Sequence, residues 1–292
     1  MLVLKTACLS IICLFICHLH GLCQIQSLPH AYAHNDYWHK RPLLDALENG
    51  FTHVEADVYL RHSRLVVSHN PPLFRRKHTI EELYLQPLLK RFETTRTDGP
   101  STLDTIVLMI DIKSKGRKTI CALNKILEQY KPVLSSCENG RVNIRNLTIV
   151  ITGHRPLRQL ESEEVRYLFV DADLKNVSHQ QDLTDLYMTA SCKYSSLIRW
   201  KGKGQIPTSE QSRLMALVDR AHAIGAKVRL WNSPDKKPVW DFLMNCGVDL
   251  INTDKLIALR QYFADARGSS IYSKLNTVNS TAPTNAGTGS LE

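Results

Sequence analysis

The sequence predicts an α/β chain closed into a (β/α)8 TIM barrel. Past residue 26, short apolar runs alternate with amphipathic stretches of helical length. Parallel βαβ units give that alternation. The 292 residues suit a barrel, which uses about 250 as one domain. Acidic, basic and histidine residues stand at the ends of the strand-like runs, where the sites of such barrels collect.

Strand-like runs cover 30–34, 53–59, 106–112, 147–152, 167–170, 186–190, 227–231 and 248–252. A further run, 65–68, leads to His69. Helical patterns cover 41–49, 80–90, 118–130, 210–224, 237–246 and 256–263. Gly50 and Gly247 follow two of these helices, and Ser233-Pro234-Asp235 opens another. An open, doubly wound sheet is the alternative architecture. No internal repeat is present.

Both ends of the chain differ from its body. Lys5 precedes an apolar run from Ala7 to Cys17, too short for a span of about 20 residues and typical of a secretory signal peptide. Residues 1–25 are read as that leader, with a signal anchor as the competitor. Residues 26–267 form the barrel domain. The polar segment 268–292 carries too few apolar residues to offset its ordering entropy and is read as disordered. A secreted or extracytoplasmic location follows.

Of eight cysteines, four lie in or beside the leader. Cys121, Cys137, Cys192 and Cys246 are widely spaced and form no CxxC, which excludes a ribbon-type zinc site. One or two disulfides, with Cys121–Cys137 the closest pair, compete with four buried thiols. The net charge of +9 favours anionic partners. Its groups, such as Arg75-Arg76-Lys77 and Lys236-Lys237, are short and read as solvated surface. The aromatics interleaved with charge that line a single-strand nucleic-acid groove are missing, so no nucleic-acid partner is expected.

The chemistry concentrates at strand ends. Glu55 and Asp57 lie two apart, so their carboxylates face one side while Val54, Ala56 and Val58 face the helices. Two inward carboxylates repel unless a cation neutralises them, and an all-oxygen pair suits Mg2+ or Ca2+. Asp111 and Lys113 close a deeply apolar strand, again two apart. Asp111 can complete the metal set, with a plain Asp111–Lys113 ion pair as the bland alternative. His34, followed by Asn35, and His69 each end an apolar run near these acids. A pKa near neutrality lets imidazoles serve both attack and departure at phosphorus. His39, His62, His78 and His179 have no such setting and are read as surface residues. Trp231 offers an apolar wall, and Arg155 and Arg229 offer cations for an anionic ligand.

Together the segments AHNDYWHKRPLLDALENGF, HVEADVYL, LVVSHN, MIDIKS, VRLWNSPD and GVDLINTD resemble the phospholipase C-like phosphodiesterase superfamily. Within it they resemble the branch of the altered inheritance of mitochondria proteins and glycerophosphodiester phosphodiesterase-like relatives. The resemblance implies catalytic His34 and His69, metal ligands Glu55, Asp57 and Asp111, and Lys113 and Trp231 beside the phosphate and substrate. It implies a metal-dependent phosphoric diester hydrolase acting on a small phosphodiester or lysophospholipid, with membrane-surface association and a monomeric state as further expectations. Where glycerophosphodiesterases follow the first histidine with Arg-Gly, Asn35-Asp36 stands here, so the phosphate-gripping arginine is missing at that place. Arg155, Arg229 or Lys113 are the candidates to replace it. A catalytically silent binding module and a sphingomyelinase D-like lyase forming a cyclic phosphate are the alternatives.

Overall fold

A computed structural model describes residues 25–72, 78–98, 105–179 and 185–266. Residues 1–24 of the leader, the polar tail and Arg75-Arg76-Lys77 lie outside the described residues. Eight parallel strands form the barrel: β1 (Leu28–Ala33), β2 (Phe51–Arg61), β3 (Ile106–Ile112), β4 (Leu147–Gly153), β5 (Leu168–Asp173), β6 (Tyr187–Lys193), β7 (Lys227–Trp231) and β8 (Ile251–Thr253). They pair in the order β7-β6-β5-β4-β3-β2-β1-β8, and a parallel bridge from Arg229 to Leu250 joins the two ends of that path. The sheet is therefore a ring, and the open doubly wound alternative is excluded.

Among the described residues seven α-helices follow the strands: α1 (Leu44–Glu48), α2 (Gln86–Asp98), α3 (Gly116–Leu127), α4 (Leu157–Glu161), α5 (Thr208–Ala223), α6 (Lys237–Asn245) and α7 (Leu256–Ala266). After β5 the described residues form a 3-10 turn, Leu174–His179. Strand parity sorts the side chains. Val54, Ala56 and Val58 of β2, Leu108, Ile110 and Ile112 of β3, and Ile149 and Ile151 of β4 belong to the main core, packed under the helices. Tyr32, Met109, Val150, Phe169 and Leu250 form a separate plug inside the barrel. A small antiparallel sheet of Ser136–Glu138, Arg141–Asn143 and Val165–Arg166 adds Cys137 to that plug. All four described cysteines are free thiols. Three are buried and Cys121 is exposed, so neither the expected disulfides nor four buried thiols describe them.

Two local departures shape the site. The helix expected over 41–49 starts only at Leu44, because Leu43 has φ 64 and its amide is held by the buried carboxylate of Asp36. Asp36 also accepts from Tyr84 Oη, so the β1–α1 loop is pinned to the core, and burial raises its pKa to about 6. β2 outruns the barrel and folds back as an antiparallel hairpin with Arg64–Val67. His62 and Ser63 at its tip both have positive φ, the conformation that suits a two-residue hairpin turn. The return strand ends at Val67, and the Ser68 amide donates to the carbonyl of Asp57. That contact brings His69 back over the barrel mouth. Among the described residues no helix is long and apolar enough to cross a membrane.

Candidate active site

The parallel register sets the heights of the acids. Asp57 pairs with Asp111 and Glu55 with Met109, so two carboxylates share a layer and the third lies one step deeper. Thr152 of β4 completes the upper layer beside Asp111. Ligand atoms of Glu55, Asp57 and Asp111 lie within 4.8 Å of one another. These residues open into a cavity of about 480 Å³ at the C-terminal end of the barrel, lined also by His34, His69, Lys113 and Trp231.

Each carboxylate is held by the protein mainly through one of its oxygens. Glu55 Oε2 accepts from Tyr32 Oη and Arg229 Nη1, both at 2.7 Å. Asp57 Oδ2 accepts from His69 Nδ1 at 2.8 Å, Tyr37 Oη at 2.9 Å and Lys113 Nζ at 3.1 Å. Asp111 Oδ2 accepts from Lys113 Nζ. Asp57 Oδ1 is buried without a hydrogen-bond partner among the described residues. A buried orphan acceptor is costly unless a ligand completes it. Three oxygens so spaced match a hard divalent cation, whose bonds to oxygen run about 2.0–2.6 Å. Gly153, at φ 73, keeps the arrangement open, since a Cβ there would lie 2.2 Å from Asp111 Oδ1. The expected ion pair of Asp111 with Lys113 is present as well, and it occupies the opposite oxygen of the same carboxylate.

The two imidazoles are held alike. His34 Nδ1 lies 2.7 Å from Asp254 Oδ1, and its Nε2 lies 3.9 Å from Glu55 Oε1. A carboxylate only accepts, so Nδ1 carries the proton in each ring and Nε2 is left for other chemistry. Asn35 steadies the partner of the first ring: its Nδ2 donates to Asp254 Oδ1 at 3.3 Å beside His34 Nδ1, and its Oδ1 lies 2.7 Å from Tyr37 Oη, whose one proton it shares with Asp57. Asn35 adopts φ 48, the left-handed conformation that asparagine tolerates. Trp38 stands edge-on to His69 with ring centroids 5.4 Å apart.

Electrostatics divide the acids. Burial works against the Glu55 charge, but Arg229, His34 and Tyr32 outweigh it and its pKa is lowered. For Asp111 burial wins over Lys113, and the pKa is raised. Burial opposes protonation of His34, yet the Asp254 hydrogen bond and the charges of Glu55 and Asp254 raise its pKa. Desolvation, then Asp57, pushes the Tyr37 phenol up, so it remains a donor.

The remaining sequence candidates divide by commitment. Arg229, 3% exposed, is spent on Glu55 and Asn252 and stacks 4.2 Å over the Tyr32 ring, which makes it a counter-ion beneath the site. Asn35 is likewise engaged with His34, Asp254 and Tyr37. Arg155, half-buried, and Trp231 line the cavity. His62 and His78 are exposed and His39 is half-buried, while the side chain of His179 lies outside the described residues. Sequence reasoning missed Tyr37, the Asp254 partner of His34, and Asp171, whose carboxylate accepts from Thr189, Ser191 and Thr152. It also missed Lys175 and Lys193 on the cavity wall. Inward parity along β5 and β6 would have found Asp171 and Lys193.

A closed eight-stranded barrel with His-Asn, Glu-x-Asp and Asp-x-Lys at successive strand ends defines a member of the phospholipase C-like phosphodiesterase superfamily. Residues 23–171, just over half of the chain, match the AIM6-like phosphodiesterase domain, and the chain belongs to that family. It is 29% identical over 276 residues to Altered inheritance of mitochondria protein 6 of Eremothecium gossypii, covering 80% of this chain and 69% of the relative. It is 25% identical over 260 residues to the Arthroderma benhamiae homolog, covering 80% and 83%. The crystal structure of glycerophosphodiester phosphodiesterase from Agrobacterium tumefaciens aligns at a TM-score of 0.45 and 12% identity, over 82% of this chain and 97% of that one.

Proposed function

We propose that the chain is a metal-dependent phosphoric diester hydrolase. The observation that carries this reading is the convergence of Glu55, Asp57 and Asp111, whose ligand oxygens lie within 4.8 Å of one another, with Asp57 Oδ1 buried and unpartnered among the described residues and an imidazole at either flank. Glu55, Asp57 and Asp111 would hold the cation, Mg2+ or Ca2+ by the hardness of the donor set. When bound, such an ion neutralises charge on a non-bridging phosphoryl oxygen. The membership in a phosphodiesterase-domain family agrees with this chemistry.

His34 and His69 then divide the proton traffic. One imidazole accepts the proton of the attacking water as its oxygen bonds to phosphorus. The other, protonated, gives its proton to the alkoxide as the bond from phosphorus to the leaving alcohol breaks. Asp254 and Asp57 hold the two rings by Nδ1 and keep Nε2 presented. Lys113, bridging Asp111 and Asp57, keeps these acids from repelling and adds a positive edge to the phosphate position. Trp231 forms the apolar wall for the alcohol.

The test is chelator-sensitive hydrolysis of bis(p-nitrophenyl) phosphate and of lysophospholipid by the folded protein. Glu55→Ala and His34→Ala are each expected to abolish turnover while the circular dichroism spectrum persists. Turnover that survives both substitutions refutes the site; tight ligand binding without any turnover would make the chain a binding module. Phosphorus NMR of the product separates hydrolysis from cyclic-phosphate release.

A further inference from the structure

The cavity has a second wall that the proposed hydrolysis does not use. It is built from the C-terminal ends of β4, β5 and β6 and carries Arg155, Lys175 and Lys193. Lys193 arrives there by parity, because Thr189, Ser191 and Lys193 alternate inward along β6, and its ammonium lies 5.7 Å from the Trp231 ring centroid. Among the described residues none of the three cations enters an ion pair, whereas Lys113 and Arg229 on the acid wall are paired. The two acids near the trio are satisfied by other groups. Asp171 takes three hydroxyls, and Asp173 accepts from the Lys175 amide at 3.1 Å and from Asn176 Nδ2 at 2.9 Å.

One phosphodiester carries a single negative charge, and Lys113 with the acid wall already provides for it. Three further cations without an ion pair, Arg155 half-buried and Lys175 and Lys193 exposed at the mouth, give this side of the cavity a positive potential that favours a second anion. At about 480 Å³ the cavity has the size of a ligand site and exceeds what one phosphoryl group fills. The guanidinium of Arg155 also supplies the planar fork that grips phosphate oxygens in pairs.

We infer that Arg155, Lys175 and Lys193 form a second anion subsite, which makes the substrate class a phosphodiester bearing an additional phosphomonoester. This rests on the phosphodiesterase reading above. The experiment compares glycerophosphoglycerol with its terminally phosphorylated form in two measurements: kcat/KM with added Mg2+, and calorimetric affinity in chelator. Hydrogen bonds between charged groups are worth enough for the phosphorylated compound to be preferred by at least about tenfold in both measurements. In the Lys175→Gln/Lys193→Gln double variant that ratio is expected to fall to within about threefold, and Lys193→Arg alone should keep most of it. Equal values for the two compounds in the wild-type protein, or a preference that survives the double variant, overturn the subsite. Discrimination in affinity with no turnover of either compound would uphold the subsite and defeat the hydrolase reading instead.

Discussion

Arg229→Met tests whether the deep acid of the site depends on one counter-ion. Arg229 is 3% exposed and Glu55 5% exposed, and the guanidinium donates to Glu55 Oε2 at 2.7 Å and to Asn252 Oδ1 at 3.0 Å. Methionine keeps much of the volume but leaves the Glu55 carboxylate buried with Tyr32 as its remaining donor. Breaking a buried pair from one side costs about 3–5 kcal/mol, since an uncompensated charge remains. Loss of the Tyr32 stacking lies within that range rather than adding to it. In a domain of this size each kcal/mol moves Tm by about 2–4 °C, so a fall of roughly 6–20 °C is expected.

The assay is thermal and urea unfolding in chelator, so that no cation substitutes for the arginine. Glu55 has a lowered pKa in the folded protein, so its contribution is present above its unfolded value and is lost as pH falls through the folded one. The gap between wild type and variant should therefore be widest near neutrality and narrow below about pH 4.5. Adding Glu55→Gln to Arg229→Met should recover much of the loss, with a coupling of at least about 1.5 kcal/mol in the double-mutant cycle. A loss under about 1 kcal/mol, or an uncoupled cycle, would refute the claim that Arg229 holds the Glu55 charge.

Three further outcomes are expected. Tyr37→Phe removes a donor that lies within reach of Asn35, Asp57 and His69; kcat should fall by about tenfold or more with KM little changed, and steady-state kinetics on bis(p-nitrophenyl) phosphate would show it. Gly153→Ala forces a methyl to within 2.2 Å of Asp111 Oδ1, so calorimetry should find weakened Mg2+ binding, and unaltered affinity would count against Asp111 as a ligand. His222 Nε2 lies 2.7 Å from Asp249 Oδ2, a bond that, despite opposing burial, raises the histidine pKa above 6.5. The stability it adds is complete below that value and is lost as pH rises through the folded pKa. The Tm deficit of His222→Gln should thus be larger at about pH 6 than at about pH 9.

Much of the barrel was legible because its signal is periodic. The strands over 106–112 and 227–231 coincide with their predicted bounds, since in each the parity separates a helix-facing apolar set from an inward set. The pairing of Glu55 with Asp57 and of Asp111 with Lys113 could be read from the same period of two. What stayed hidden depends on distance in the chain. Nothing local marks Asp254 as the partner of His34, 220 residues away, or Arg229 as the counter-ion of Glu55, 174 residues away. The small sheet around Cys137 was missed because its strands are two or three residues long, below the length at which alternation can be seen. Helix α1 came out shorter than predicted because a tertiary contact, Asp36 to the Leu43 amide, overrides the local pattern.

Among the described residues the return strand of the hairpin that carries His69 pairs with β2 and with no other barrel strand. The distance from Asp57 to its imidazole partner is thus set by the size of a two-residue turn rather than by the closed ring. One inserted residue at His62 or Ser63 would slide the return strand by one position and turn a different side chain toward Asp57. Half of the proposed acid–base pair can therefore be retuned, or disabled, by a change in loop length that leaves every barrel strand as it is.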